Sequence, residues 1–337
     1  MTFDNPNRRD VLKIGAASAA AFGVPTLLHF PADAAEHTLK FASLAPQGSL
    51  WYKGFAKTAR QIKEKTDGAV AFKLYGGGVM GDERAMVRKI RSGQIDCAAV
   101  TSVGLGDIDK KLLVLQLPLV FKNNKQLDKA RNKMSSTLDG ILTDKNFVRL
   151  GWGDVGFIYF FSNSPVATPN DGRGTKMWVW DTDPISKEVA KVAGINATPL
   201  GVPDVLPSLS TGVVDSFLNS PYGAMALQWH TKAKFVTDLK LAVTIGGTVM
   251  SKKSWDKLSG GQQATIKDIS FAEHKKLLGS IRSANNRAQK DLVTKHGYTA
   301  VSVKDFGAWK KLADQVRKNL TGKLFPASLV DEMMSSI

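Results

Sequence analysis

The sequence predicts an α/β protein of two similar lobes facing a cleft. Three observations lead there. The chain has 337 residues, enough for two domains at roughly 100–200 residues each. Its apolar pattern repeats a strand–helix–strand unit. A short motif also recurs at the same point of that unit in both halves. Ser92-Gly93-Gln94-Ile95-Asp96 and Thr211-Gly212-Val213-Val214-Asp215 share the order hydroxyl, glycine, any residue, β-branched residue, aspartate. Each stops a helix on glycine and begins a strand at once. Ligands of such sheets bind beyond the carboxyl ends of the strands, so two facing lobes make a binding cleft.

Residues 37–42 alternate as a short strand, and 45–49 form a turn whose Ser49 caps the next helix. Phe55, Ala59 and Ile62 mark that helix's inner face at i, i+4 and i+7. Thr66-Asp67-Gly68 ends it, and 69–75 read as a second strand, with the alternation of a sheet edge. After a glycine-rich loop, Asp82 and Glu83 open a helix that closes on Arg88, Lys89 and Arg91, the charge order a helix dipole favours. Residues 95–100 are an apolar run suited to a buried parallel strand. In the second half Asp183-Pro184 starts a helix, because aspartate accepts from free N–H groups and proline has none to satisfy. Gly194 stops it, 195–200 form a strand, and a short helix runs to Gly212. From Ser251 the pattern is mostly helical, and 262–295 form one long helix or a broken pair. A strand at 298–303 and a helical end follow. A long late helix is placed to span both lobes.

Composition narrows the function. Lys and Arg number 46 against 30 Asp and Glu, a formal charge of +16. The lysines are scattered singly (Lys53, Lys57, Lys63, Lys65, Lys73), with no arginine block interleaved with aromatics. That is a solvated surface, and nucleic acid is not expected as a partner. The 1 cysteine excludes an internal disulfide. Beyond the first 35 positions no apolar run approaches the ~20 residues a membrane span needs.

The first residues read as an address. Asn7-Arg8-Arg9-Asp10-Val11-Leu12-Lys13 resembles the twin-arginine export motif, an Ala-rich apolar stretch follows, and Ala32-Asp33-Ala34 fits an A-x-A cleavage site. Residues 1–35 are therefore expected to be a signal peptide, cleaved near Ala34. The mature protein is expected in a bacterial periplasm.

Candidate chemistry is sparse. Gly76-Gly77-Gly78-Val79-Met80-Gly81 satisfies G-x-G-x-x-G after a strand and before a helix, the layout of a dinucleotide fingerprint. Asp82 and Glu83 follow it, and two carboxylates oppose a phosphate there. No HExxH, metal-ligand spacing or G-x-S-x-G occurs, and Cys97 lies in an apolar strand as an inert core residue. Met177-Trp178-Val179-Trp180 has strand character, so both indoles share one face near a carboxyl strand end. They are either core or an aromatic wall of the cleft with an N–H available on each ring. Asn219, Tyr222 and Met225 follow the corresponding repeated strand and are candidates for the same space. Gln47 and Thr101, just past two first-lobe strands, complete the set.

Six stretches then resemble, in order and spacing, the extracytoplasmic solute receptors of tripartite ATP-independent periplasmic (TRAP) transporters, the DctP-like family. They are Tyr75-Gly-Gly-Gly-Val-Met-Gly-Asp-Glu-Arg84, Arg91-Ser-Gly-Gln-Ile-Asp96, Leu117-Pro-Leu-Val-Phe121, Gly151-Trp-Gly-Asp-Val-Gly156, Ser162-Asn-Ser-Pro165 and Thr211-Gly-Val-Val-Asp215. The resemblance implies a two-lobed periplasmic binding protein (type II-like) with a central cleft and a long late helix spanning both lobes. It places 36–156 with about 244–285 in lobe I, and 157–243 with about 286–337 in lobe II. It implies hinge closure on a small organic solute, delivery to TRAP membrane permease subunits, no catalysis and no cofactor.

The sequence departs from the family's pattern at two cations. Receptors for organic acids place an arginine after Gly-x-Lys; here Gly174-Thr175-Lys176-Met177-Trp178 puts Trp178 there. A second arginine of sialic-acid receptors corresponds to Ile158. Asn219 is retained at a ligand-contacting position of the family. A carboxylate buried without a bidentate partner costs several kcal/mol, so the expected cargo is apolar, aromatic or neutral. This branch resembles receptors that work with an additional helical-repeat periplasmic subunit. The alternatives are a carboxylate receptor using a substitute lysine such as Lys176, and an exported nicotinamide oxidoreductase using the 76–81 loop.

Overall fold

The computed structural model describes residues 35–337; the expected signal peptide, save its last position, lies outside the described residues. Lobe I opens with β1 (His37–Ser43), α1 (Leu50–Lys65), β2 (Val70–Tyr75), α2 (Glu83–Arg91), β3 (Cys97–Thr101) and α3 (Ser102–Ile108). A 3-10 segment, Lys110–Gln116, leads to α4 (Asn124–Lys133) and α5 (Ser135–Asp144). The long strand β4 (Phe147–Ser162) crosses into lobe II. There follow β5 (Lys176–Trp180), α6 (Pro184–Ala193), β6 (Asn196–Leu200), α7 (Val202–Thr211), β7 (Ser216–Asn219), α8 (Pro221–Ala226) and β8 (Phe235–Thr237). Strand β9 (Ala242–Ser251) returns to lobe I. The chain ends through α9 (Lys252–Trp255), α10 (Gly260–Thr294), β10 (Thr299–Val301), α11 (Phe306–Leu320) and α12 (Ala327–Met334).

The strands order β2-β1-β3-β9-β4-β7-β5-β6, with β8 on β4 and β10 on β8. Pairing is parallel within each lobe's βαβ units and antiparallel where β9 meets β3 and β4. β2 is an edge strand, as its alternation predicts. The expected helix signals act as read. Ser49 accepts from the Tyr52 N–H, Asp183 from the Ile185 N–H, and Gly194 takes φ +69 at the end of α6.

The recurring motif makes the same clamp twice. Gly93 and Gly212 both hold φ +74, the left-handed conformation that ends a helix. The following aspartate then grips a neighbouring strand from both sides. Asp96 N–H donates to the Lys40 carbonyl at 3.0 Å while its carboxylate accepts from Lys40 N–H at 2.7 Å. Asp215 N–H donates to the Lys176 carbonyl at 3.0 Å, and its carboxylate accepts from Lys176 N–H at 2.7 Å. Each lobe thereby fixes the register of a helix–strand return.

The late helix is continuous. Its 35 residues span about 50 Å at 1.5 Å per residue. A capping box at Ser259 and Gln262 starts it. It packs on α1 of lobe I, on β4, and on α8 of lobe II. The chain's end departs from the expected partition, which assigned 286–337 to lobe II. Leu329, Val330 and Met333 of α12 share a core with Leu127, Ala130 and Leu138 of lobe I. Thr137 donates to Glu332 at 2.9 Å. A turn at Gly322, φ +82, brings the chain back.

α10 approaches β4 so closely that Gly151 is required: a Cβ there would lie 2.3 Å from Cγ of His274. That imidazole is held by Ser270 and Thr248 and has no room to swing. Gly151→Ala is expected to cost about 2–3 kcal/mol through overpacking. Urea unfolding is the check: the midpoint falls and the m-value stays unchanged.

Candidate functional site

A cavity of about 230 Å³ opens at the junction of the lobes. Its walls are mainly apolar, with Trp51, Phe55, Phe160, Trp178, Trp180 and Trp229 among the aromatics and Leu44, Val100, Val155 and Ile158 among the aliphatics. The lining continues past β5 to Val189, Leu312 and Ala313 beneath α6 and α11. The two β5 indoles stand 5.9 Å apart on one face, and Trp178 meets Trp229 edge-on at 4.9 Å. Both rings share the cluster that includes Phe161, Phe217 and Trp229. Trp178 is thus core and cavity wall at once.

No lysine or arginine is among the described residues lining this space. Acids do line it, and each is engaged by the protein. Glu83 is 1% exposed. It accepts from Thr101 N–H at 2.8 Å, Thr101 Oγ1 at 2.9 Å and Gly104 N–H at 2.7 Å. Burial outweighs these bonds and lifts its carboxyl to about 8. Asp183 accepts from Ile185 N–H at the start of α6 and from Gln116 Nε2 at 3.1 Å; burial raises its carboxyl too. His274 Nδ1 faces the Ser270 carbonyl at 2.7 Å, so it donates, and Nε2 then accepts from Thr248 Oγ1 at 2.8 Å. Burial lowers its pKa, which keeps the ring neutral.

Two guanidinium groups beside the lining residue Asp154 are consumed in ion pairs. Arg131 pairs with Asp154 at 2.6 Å and Asp128 at 2.8 Å, while Arg282 pairs with Asp128 at 2.6 Å and Asp154 at 2.8 Å. Two cations and two anions close a quartet joining α4, β4 and α10. Asp154 lines the cavity, but both its oxygens are taken.

The sequence profile of the bacterial extracellular solute-binding proteins, family 7 (DctP), matches residues 41–323. The chain belongs to this family. It is similar to a solute-binding protein of Chromohalobacter salexigens, 28% identical over 218 residues, an alignment covering 64% of this chain and 65% of that protein. Among solved structures it resembles a TRAP periplasmic solute-binding protein of Citrobacter koseri with bound D-glucuronate. The TM-score is 0.81 with 26% identity, covering 88% of this chain and 98% of that one. A Sulfitobacter TRAP periplasmic protein with bound β-D-galacturonate shares the fold, with TM-score 0.83 and 23% identity over 88% of this chain and 99% of that one.

In this DctP-family chain, five of the eight residues expected at the site line the cavity: Thr101, Ile158, Trp178, Trp180 and Asn219. Three do not. Gln47 is exposed in the turn after β1. Met225 is partly buried against the lobe II core. Tyr222 lies just behind the wall, tilted against Trp51 at 4.7 Å, and its hydroxyl accepts from Leu50 N–H at 2.8 Å. The indole N–H groups, expected to be available, are both engaged. Trp178 donates to the Leu200 carbonyl at 3.0 Å, and Trp180 to the Asp82 carboxylate at 3.1 Å. Lys176 is no substitute cation: its side chain is exposed and donates to the Gly212 carbonyl. The 76–81 loop spends its amides internally, Gly77 on the Ala45 carbonyl, Gly78 on Ser43 and Gly81 on Gly78. That leaves no row of amides for a pyrophosphate.

Trp51, Trp229, Glu83, Gln116 and His274 are cavity residues the sequence did not single out. Trp51 had a usable signal, since it follows the turn at a carboxyl strand end. His274 had none, because α10's packing alone brings it there.

The raised Glu83 carboxyl gives a pH dependence with a defined sign. The folded chain holds this proton more tightly than the unfolded one, so its contribution is complete below about 4.5 and is lost as pH rises through about 8. Glu83→Gln carries no such proton. Between about pH 5 and about pH 8 the wild type is expected to lose stability relative to Glu83→Gln in paired denaturant titrations.

Proposed function

We propose that this chain is the periplasmic receptor of a TRAP transporter, that its cargo is an uncharged, apolar or aromatic solute, and that it acts without catalysis. The carrying observation is the cavity itself, walled by indole and phenyl rings and lined, among the described residues, by no lysine or arginine. A glucuronate or galacturonate, as bound by the relatives in the two solved structures, would bring a buried negative charge into a space with no lysine or arginine among its described lining residues. Without a guanidinium partner that charge costs several kcal/mol. An aromatic solute meets the reverse situation. Burying ~200 Å² of apolar ligand surface contributes ~5 kcal/mol gross, reduced by the entropy of association.

The volume sets a ceiling on size. A cavity of about 150 Å³ takes up benzene, so about 230 Å³ accommodates roughly nine non-hydrogen atoms on the same scale. Delivery would pass to membrane permease subunits, with the helical-repeat subunit as a further partner for poorly soluble cargo. Export by the twin-arginine route belongs to the same proposal, supported by Arg8-Arg9 and the Ala32-Asp33-Ala34 site.

Calorimetric titration with indole, a neutral bicycle of the right size, against D-glucuronate is the test. Indole is expected to bind at least about tenfold more tightly; the opposite order sinks the apolar reading and leaves the receptor role standing. Trp180→Ala is expected to weaken indole binding by about tenfold or more while the fold persists. Trp178→Ala, by contrast, removes a ring 6% exposed and is expected to cost about 3–5 kcal/mol of stability as well.

A further inference from the structure

Helix α7 begins without a cap of its own. Its N-cap residue is Gly201, with no side chain to accept from the first-turn amides. Instead Val202 N–H donates across the cleft to Asp82 Oδ2 at 2.7 Å. Asp82 is also the N-cap of α2, where its Oδ1 accepts from Glu83 N–H at 2.5 Å. One carboxylate therefore caps two helices from opposite lobes, and both positive helix ends converge on its charge. Trp180 Nε1 is the third donor, at 3.1 Å, and its ring is a cavity wall. The fit depends on glycine, because a Cβ at position 201 would lie 2.7 Å from Asp82 Oδ2.

We propose that Asp82 is a positioning residue, a latch that fastens α7 and Trp180 of lobe II onto α2 of lobe I, so that the bonds holding the cleft shut also set one wall of the cavity. This rests on the receptor reading above. A solute packed on Trp180 holds the indole where its N–H meets the carboxylate. Closure in turn holds the ring against the solute, so each favours the other by linkage. Other contacts join the lobes as well, among them Leu50 N–H to the Tyr222 hydroxyl and Gln116 Nε2 to Asp183. Asp82 differs from these acceptors in taking two donors from the opposite lobe, Val202 N–H and Trp180 Nε1, the second of them from a ring that lines the cavity.

A plain helix cap is the competing account, and Asp82→Ser separates the two. Serine caps α2 as well as aspartate does, but its single, shorter hydroxyl does not reach α7. Indole serves as probe, and its dissociation is followed by stopped-flow fluorescence. In parallel, the distance between spin labels on Arg60→Cys of α1 and Ser210→Cys of α7 is measured by pulsed electron resonance. Asp82→Ser is expected to release indole about tenfold faster or more, as for loss of hydrogen bonds to a charged group, and to lengthen the interlobe distance. Trp180→Phe, which keeps a ring and loses the N–H, is expected to show a smaller acceleration in the same direction. Unchanged dissociation together with an unchanged distance in Asp82→Ser overturns the latch. If indole fails to bind the wild type, the apolar-cargo reading falls, and the distance alone decides: longer in Asp82→Ser upholds the latch, equal removes it.

Discussion

The antiparallel ladder between β4 and β9 carries everything else. It makes ten residue pairs, from Phe147 with Ser251 to Ile158 with Ala242, and it is the stretch of sheet through which both lobes are joined. Strands that cross from one lobe to the other must bend, and β4 does so at irregularities beside Arg149 and Asp154. Gly156 holds φ +125 at the second of these, a conformation closed to other residues without strain. The same ladder delivers Asp154 and Ile158 from one strand and Thr244 and Thr248 from the other to the cavity. α10 lies along β4 and ties the crossing to α1 and α8.

Charge inside this frame is balanced locally. Acids near the cavity are spent on helix starts: Asp82 on α2 and α7, Glu83 on the first turn of α3, Asp183 on α6. Bases are spent on acids, in the quartet of Arg131, Arg282, Asp128 and Asp154. Removing any one member of that quartet would strand a buried charge, which is why the group acts as a unit. The residue left to face a solute is aromatic ring, aliphatic side chain and a few neutral polar groups.

Much of the scaffold was legible because it is local. Gly93-Gln94-Ile95-Asp96 and Gly212-Val213-Val214-Asp215 needed only the left-handed preference of glycine and the pull of aspartate on nearby amides. Asp183-Pro184 and Ser49 needed only the open valences of a helix start. The strand pattern of Trp178 and Trp180 sufficed to put both rings on one face. What escaped depended on distant chain. Leu200 and Asp82 occupy the two indole N–H groups from other segments, and no periodicity reports that. Asp82 and Glu83 read only as carboxylates opening a helix; the burial of Glu83 against Thr101 and Gly104 at the start of α3 depends on chain further along. α12 returns to lobe I through the turn at Gly322, a reversal invisible to a count of helices.

The closed quartet has a kinetic corollary. The chain's charge of +16 comes from lysines scattered along the sequence, while no lysine or arginine is among the described residues that line the binding chamber. For the uncharged cargo proposed above, encounter would be a matter of diffusion and fit, indifferent to ionic strength. With such a cargo the capture speed would hold across fresh and saline surroundings alike, at the expense of any electrostatic funnel.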